Sequence, residues 1–158
     1  MTKEELYSNK EIIDDTDLIY ELSKYYRDLN PDDAPKFNKP QYQIIKHLVS
    51  RISYENVVLI SIADLCYILG TTTDNVSKRI KTGGNLIEYY SYRTDRTLDF
   101  GRAKILINPN YGWKPSYTKS RQDAVTEWYM TRDMAEASKT DFSISHAYTM
   151  LKQLKKDY

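Results

Sequence analysis

Residues 70–84 hold a run of short polar side chains followed by bases: Thr71, Thr72, Thr73, Asp74 and Asn75, then Ser77, Lys78, Arg79 and Lys81. The apolar members, Val76 and Ile80, are four apart. On a helix they point inward together and leave Thr73, Asp74, Ser77, Lys78 and Lys81 on the outer side, with Asn75 and Arg79 flanking. Thr72 is placed to cap such a helix. The chemistry open to this face is hydrogen bonding and charge neutralisation. Small polar groups at a helix start suit the base edges of a duplex major groove, and the bases that follow suit phosphates. Asp74 can accept from a cytosine amino group or complement the helix dipole. A second basic group, Arg93, Arg96, Arg102 and Lys104, surrounds the polar turn at 93–97.

Bond-making chemistry has no comparable support. There is no glycine-rich phosphate loop, no nucleophile–base signature and no metal-ligand spacing. The two histidines, His47 and His146, are isolated, and Cys66 is the one cysteine. A strand-cleaving tyrosine would be expected to come with a histidine metal site. The chain therefore reads as a non-enzyme with no cofactor and no metal. A lone cysteine fits a reducing compartment. The polar N-terminus does not read as a signal peptide, and no apolar run reaches the roughly 20 residues of a membrane span. These features lead to the expectation of a cytoplasmic protein.

The elements that must position the polar run can be read around it. Ser61 caps a helix in which Ile62, Leu65, Cys66 and Leu69 share a face, and Gly70 ends it. Residues 86–92 (LIEYYSY) and 100–107 (FGRAKILI) read as strands joined by the charged turn. Upstream, Pro40 fits a helix start, with Tyr42, Ile45, Leu48, Val49 and Ile52 on one face. Residues 57–60 form a short apolar strand. Helix, strand, helix, turn, helix and a basic hairpin make a winged helix-turn-helix over residues 36–117. The fold class expected is mainly α with a small β-hairpin wing, α+β.

Two flanks complete the chain. Residues 1–35 read as an acidic helical arm and linker. Thr16 caps a helix carrying Leu18, Leu22, Tyr25 and Leu29, and a proline-rich linker follows it. Residues 118–158 read as a C-terminal helical hairpin. Ala124, Val125, Trp128 and Tyr129 face one way in its first helix, and Ile144, Ala147, Tyr148, Leu151 and Leu154 in its second. The hairpin is a dimerisation element or, over 133–156, a second helix-turn-helix. Formal charge is uneven, with ten acids against four bases in 1–35 and fourteen bases against seven acids in 36–125. A basic excess on the segment with the wing is the footprint expected of a phosphate-binding surface. Fifteen tyrosines suit interfaces and nucleic-acid edges, or reflect a low-GC composition.

Residues 70–81 (GTTTDNVSKRIK) look like the turn and recognition helix of many bacterial winged-helix proteins. Residues 103–114 (AKILINPNYGWK) are similar to a narrower group, the RepL family of plasmid and phage replication initiators in Firmicutes. The likeness spans about residues 57–114. It implies binding to an origin or operator site as duplex DNA.

The expectation is therefore a sequence-specific double-stranded DNA binder acting in replication initiation or transcription regulation. Thr72, Thr73, Asp74, Ser77 and Lys78 would face the groove, and Arg79, Lys81, Arg93, Arg96, Arg102 and Lys104 the phosphates. A homodimer is the default for such readers. The acidic helix or the C-terminal helices offer surfaces for a protein partner. The alternative is a winged-helix interaction module that binds a host or replisome partner without reading DNA.

Overall fold

The computed structural model describes residues 11–29, 37–81 and 86–130. Most of the proline-rich linker, Gly83, Gly84 and the whole of 133–156, with its suggested second helix-turn-helix, lie outside the described residues. The elements are β1 (Ile13–Asp14), α1 (Thr16–Leu29), α2 (Lys39–Val49), β2 (Val57–Ser61) and α3 (Ile62–Leu69). A 3-10 turn (Thr73–Asn75) runs into α4 (Val76–Ile80), followed by β3 (Ile87–Ser91), β4 (Arg102–Ile107), β5 (Gly112–Trp113) and α5 (Arg121–Met130). The chain is α+β. Its antiparallel sheets are a three-stranded one in the order β2-β4-β3 and a two-stranded one pairing β1 with β5.

Local chemistry sets the helix ends. Asn38 and Gln41 form a reciprocal capping box on α2, with Pro40 in the first turn. The Ser61 hydroxyl accepts from Asp64 N at 3.1 Å at the head of α3. Gly70, at φ +63°, closes α3 in the left-handed region where a side chain would be strained. Thr16 does not cap α1 as expected. The Asp14 carboxylate takes the Thr16 N–H at 2.9 Å, and the Asp15 carbonyl accepts from Ile19 N at 3.0 Å. Thr16 is instead the first helical residue, fully buried.

The apolar face of α1 is the expected one at Leu18 and Leu22, which pack in or against the core, but it takes in Ile19 and leaves out Tyr25. Ile19 and Leu22 are buried, whereas Tyr25 is exposed. Aromatic packing accounts for this. Tyr20 stacks on Tyr42 of α2 with ring centroids 4.3 Å apart and meets the edge of Phe37 at 5.4 Å.

One core joins these elements. Val58 and Ile60 of β2, Ala103, Ile105 and Ile107 of β4, and Ile87 of β3 share a buried cluster with residues of the helices. The helical members are Ile19 and Leu22 of α1, Ile44, Ile45 and Leu48 of α2, Leu65 and Leu69 of α3, and Val76 and Ile80 of α4. The strand period of two sends Glu88, Tyr90, Lys104 and Leu106 to the other face of the sheet. Both hairpin strands are shorter than expected. Asp95 N and Thr94 N turn back to the Ser91 carbonyl, ending β3 before Tyr92. Gly101, at φ +79°, delays β4 to Arg102.

The segment after β4 is a structural tie. Asn108, Asn110 and Tyr111 are fully buried and Trp113 nearly so. The Asn108 side chain accepts from Asn110 N at 3.0 Å, and the Tyr111 carbonyl accepts from Asp15 N at 2.9 Å. Arg121, at the head of α5, donates to the Pro109 and Asn110 carbonyls, each at 2.8 Å, and pairs with Asp15 at 2.9 Å. Residues 108–113 thus fasten β1, α5 and the core together. The string that carried the family resemblance has a folding role that is independent of any ligand.

Candidate nucleic-acid interface

Two buried side chains orient the polar run. Val76 and Ile80 are 2% and 4% exposed, so α4 lies fixed on the core and cannot rotate without exposing them. Thr72, Thr73, Asp74, Asn75, Ser77, Lys78, Arg79 and Lys81 are consequently all exposed. The turn before them is held by hydrogen bonds from Gly70 N to the Tyr67 carbonyl at 3.3 Å and from Thr71 N to the Cys66 carbonyl at 3.0 Å.

The helix start differs in detail from the expectation. Thr72 occupies the cap position with extended backbone, and its carbonyl accepts from Asn75 N at 3.0 Å. Its hydroxyl accepts from the Asn75 side-chain amide at 3.2 Å, not from a backbone N–H. That local side-chain bond competes with α-helical capping, and the first turn winds as 3-10. Regular helix is confined to five residues, Val76–Ile80.

The structure separates the expected phosphate contacts into groups. Lys78 and Lys81 project from α4 into solvent. Arg79 is drawn back, its Nε donating to the Leu69 carbonyl at 3.3 Å. A cation at the C-terminus of α3 complements the dipole there and ties the two helices at their turn. Lys104 is half-buried, pairs with Asp95 at 2.7 Å and lies 5.2 Å from the centre of the Tyr90 ring. The Lys104 ammonium and the Thr97 hydroxyl and backbone N–H hold the Asp95 carboxyl down to about 2. Lys104 therefore anchors the hairpin loop, with its charge already matched. Arg102 is exposed, but it alternates with buried Ala103 and so lies on the sheet face turned away from α4.

Arg93 and Arg96 are exposed on the loop, and neither is paired with a carboxylate among the described residues. The loop is built by short polar links. Thr94 bridges Ser91 through both its backbone and its hydroxyl, and the Asp95 carboxylate accepts from Thr97 N at 3.0 Å. Arg93 Nε donates to the Tyr92 hydroxyl at 3.1 Å. At its root the hairpin meets α4 around a cleft of about 210 Å³ lined by Ser77, Ile80, Lys81, Ile87 and Tyr89.

The opposite face of the sheet has a different character. A cleft of about 450 Å³ lies between it and α5, with Tyr54, Tyr90 and Trp128 beside Glu55, Glu88 and Glu127. Lys119 also lines this cleft and pairs with Glu127, and Lys104 and Arg102 lie on the same face of the sheet, so the face carries both signs of charge. The sequence reading missed this cleft because its members come from four separated stretches. It also missed Phe100, 83% exposed, whose place beside Gly101 was the available signal.

Among the described residues no three His, Cys, Asp or Glu side chains are grouped to hold a metal ion, and His47 is exposed. His146 lies outside them. No described helix is long and apolar enough to cross a membrane. The chain matches no protein family, no curated protein and no solved structure.

Proposed function

We propose that the chain is a winged helix-turn-helix protein that binds duplex DNA with sequence preference. The observation that carries this reading is the exposed polar face of the 3-10 turn and α4, locked outward by Val76 and Ile80 against the root of the β3–β4 hairpin. The element order supports it: α2, β2, α3, α4, β3 and β4 with the sheet order β2-β4-β3.

In this reading Thr72, Thr73 and Ser77 meet base edges, and Asp74 tunes the choice of base. Lys78 and Lys81 meet phosphates beside the groove, and Arg93 and Arg96 meet them from the loop. Arg79 and Lys104 position these elements and do not touch DNA. A two-fold homodimer would present two such heads to an inverted repeat. Replication initiation and transcription regulation both use such a head.

The test is selection of the purified full chain against a random duplex library. The reading expects an enriched motif with two related half-sites about one helical turn apart. A library that emerges unenriched, from a protein that binds no duplex in a salt-dependent way, would overturn it. The second reading is a protein-docking module, supported by the acidic, aromatic-lined cleft between the sheet and α5. A positively charged peptide segment is the chemistry that cleft would accept.

A further inference from the structure

We infer that Phe100 is an apolar wedge that enters a base step of bound duplex DNA, an inference that rests on the DNA-binding reading above. The starting point is an apolar side chain with no apolar home. Phe100 is 83% exposed, although it lies two residues from the start of β4. A single exposed apolar residue is ordinary. This one differs in how it is held.

The backbone behind it is fixed. Gly101 takes φ +79°, and its carbonyl accepts from Ile62 N at the head of α3 at 2.8 Å. The Asp99 carbonyl accepts from Arg102 N at 3.2 Å. Phe100 thus stands between two anchored peptides. One side of its ring is braced by Tyr92, with centroids 4.7 Å apart and planes tilted by 54°. The Arg93 guanidinium lies 5.6 Å from the centre of the Tyr92 ring and donates to its hydroxyl. The result is a braced aromatic pair with a cation against it, at the solvent end of a hairpin.

That combination selects its partner by chemistry. The cation calls for an anion, and the free ring calls for a flat apolar surface. Nucleic acid offers both together, phosphate beside stacked base. Apolar wedges of this kind partly unstack a base step and kink the duplex by about 20–90°. The bracing matters because an ordered wedge loses little freedom on insertion. Arg93 and Arg96 would then take phosphates next to the opened step.

The experiment uses the full chain and a short mixed-sequence duplex. One form carries a dye pair at its ends, and another carries 2-aminopurine along the strand. Wild type should raise energy transfer, through bending, and 2-aminopurine fluorescence, through unstacking. Phe100→Ala should lose both signals and bind roughly tenfold more weakly, about 1.4 kcal/mol, with an unchanged salt slope. Phe100→Leu should keep most of both signals. Because the side chain is exposed, thermal melts of both variants should match wild type. Wild type and Phe100→Ala bending the duplex equally would overturn the wedge and leave DNA binding standing. Signals confined to single strands would overturn the duplex wedge. No binding by wild type to any duplex would overturn both.

Discussion

Gly112→Ala is a one-methyl change whose cost can be worked out from the packing. Gly112 is buried in β5, opposite Asp14 of β1. A Cβ placed there would lie 2.7 and 2.8 Å from the two methyl carbons of Val49 and 3.0 Å from Ile52 Cδ1. Those distances are well inside carbon–carbon contact. Val49 is fully buried in α2 and stiff at χ1, so its methyls cannot swing aside as a lysine tip would. Overpacking of this kind costs about 1–3 kcal/mol. We expect about 2 kcal/mol, a fall in melting temperature of about 4–8 °C for a chain of this length.

The cause can be isolated by a double-mutant cycle. Val49→Ala alone leaves a cavity and should cost about 2 kcal/mol. Combined with Gly112→Ala, the new methyl occupies the vacated space, and the pair should be less destabilised than the sum by about 1–2 kcal/mol. Urea melts followed by circular dichroism measure all four corners. Strict additivity would refute the argument that contact with Val49 sets the identity of residue 112.

Other consequences follow from the same geometry. Arg121→Met removes the donors to two buried carbonyls and the partner of Asp15, and chemical denaturation should show a loss of about 2–3 kcal/mol. Lys78→Ala and Arg93→Ala should each flatten the salt dependence of duplex binding by about one unit, whereas Lys104→Met should leave that slope unchanged. The Asp95 carboxyl is held at about 2 in the fold against 3.8 ordinarily, so its contribution is complete above the ordinary value and lost as pH falls toward the folded one. Melts of Lys104→Met between about pH 4 and pH 2 should therefore show a shallower acid limb than wild type. Asp17, lowered by its hydrogen bonds from Tyr42 and Lys46, acts in the same direction, so Tyr42→Phe should trim the same limb.

Much of this fold could be read in the chain. Ser61 and Gly70 bracket α3 because a hydroxyl cap and a left-handed glycine are local chemistry. Val76 and Ile80 orient α4 because their spacing leaves one way to bury both. The reading failed where distant partners decide. Tyr42 and Phe37 draw in Tyr20 at the edge of the expected face of α1, and nothing within 16–29 encodes them. Arg79 and Lys104 looked like their basic neighbours, but a carbonyl ten residues away claims one and a loop aspartate claims the other. Arg102 was assigned by charge, while strand parity placed it on the far side of the sheet. The resemblance drawn on 103–114 does not show that Asn108, Asn110 and Tyr111 serve the core, where all three are fully buried.

Duplex binding measured against salt tests the central claim most directly. With Lys78, Lys81, Arg93 and Arg96 on phosphates, the logarithm of the binding constant should fall against log salt with a slope of about −4 per protomer, about 0.9 for each contact. The fourfold charge variant, all four changed to alanine, should abolish the dependence while melting as wild type does. A wild-type protein whose duplex affinity is absent or indifferent to salt would contradict the account.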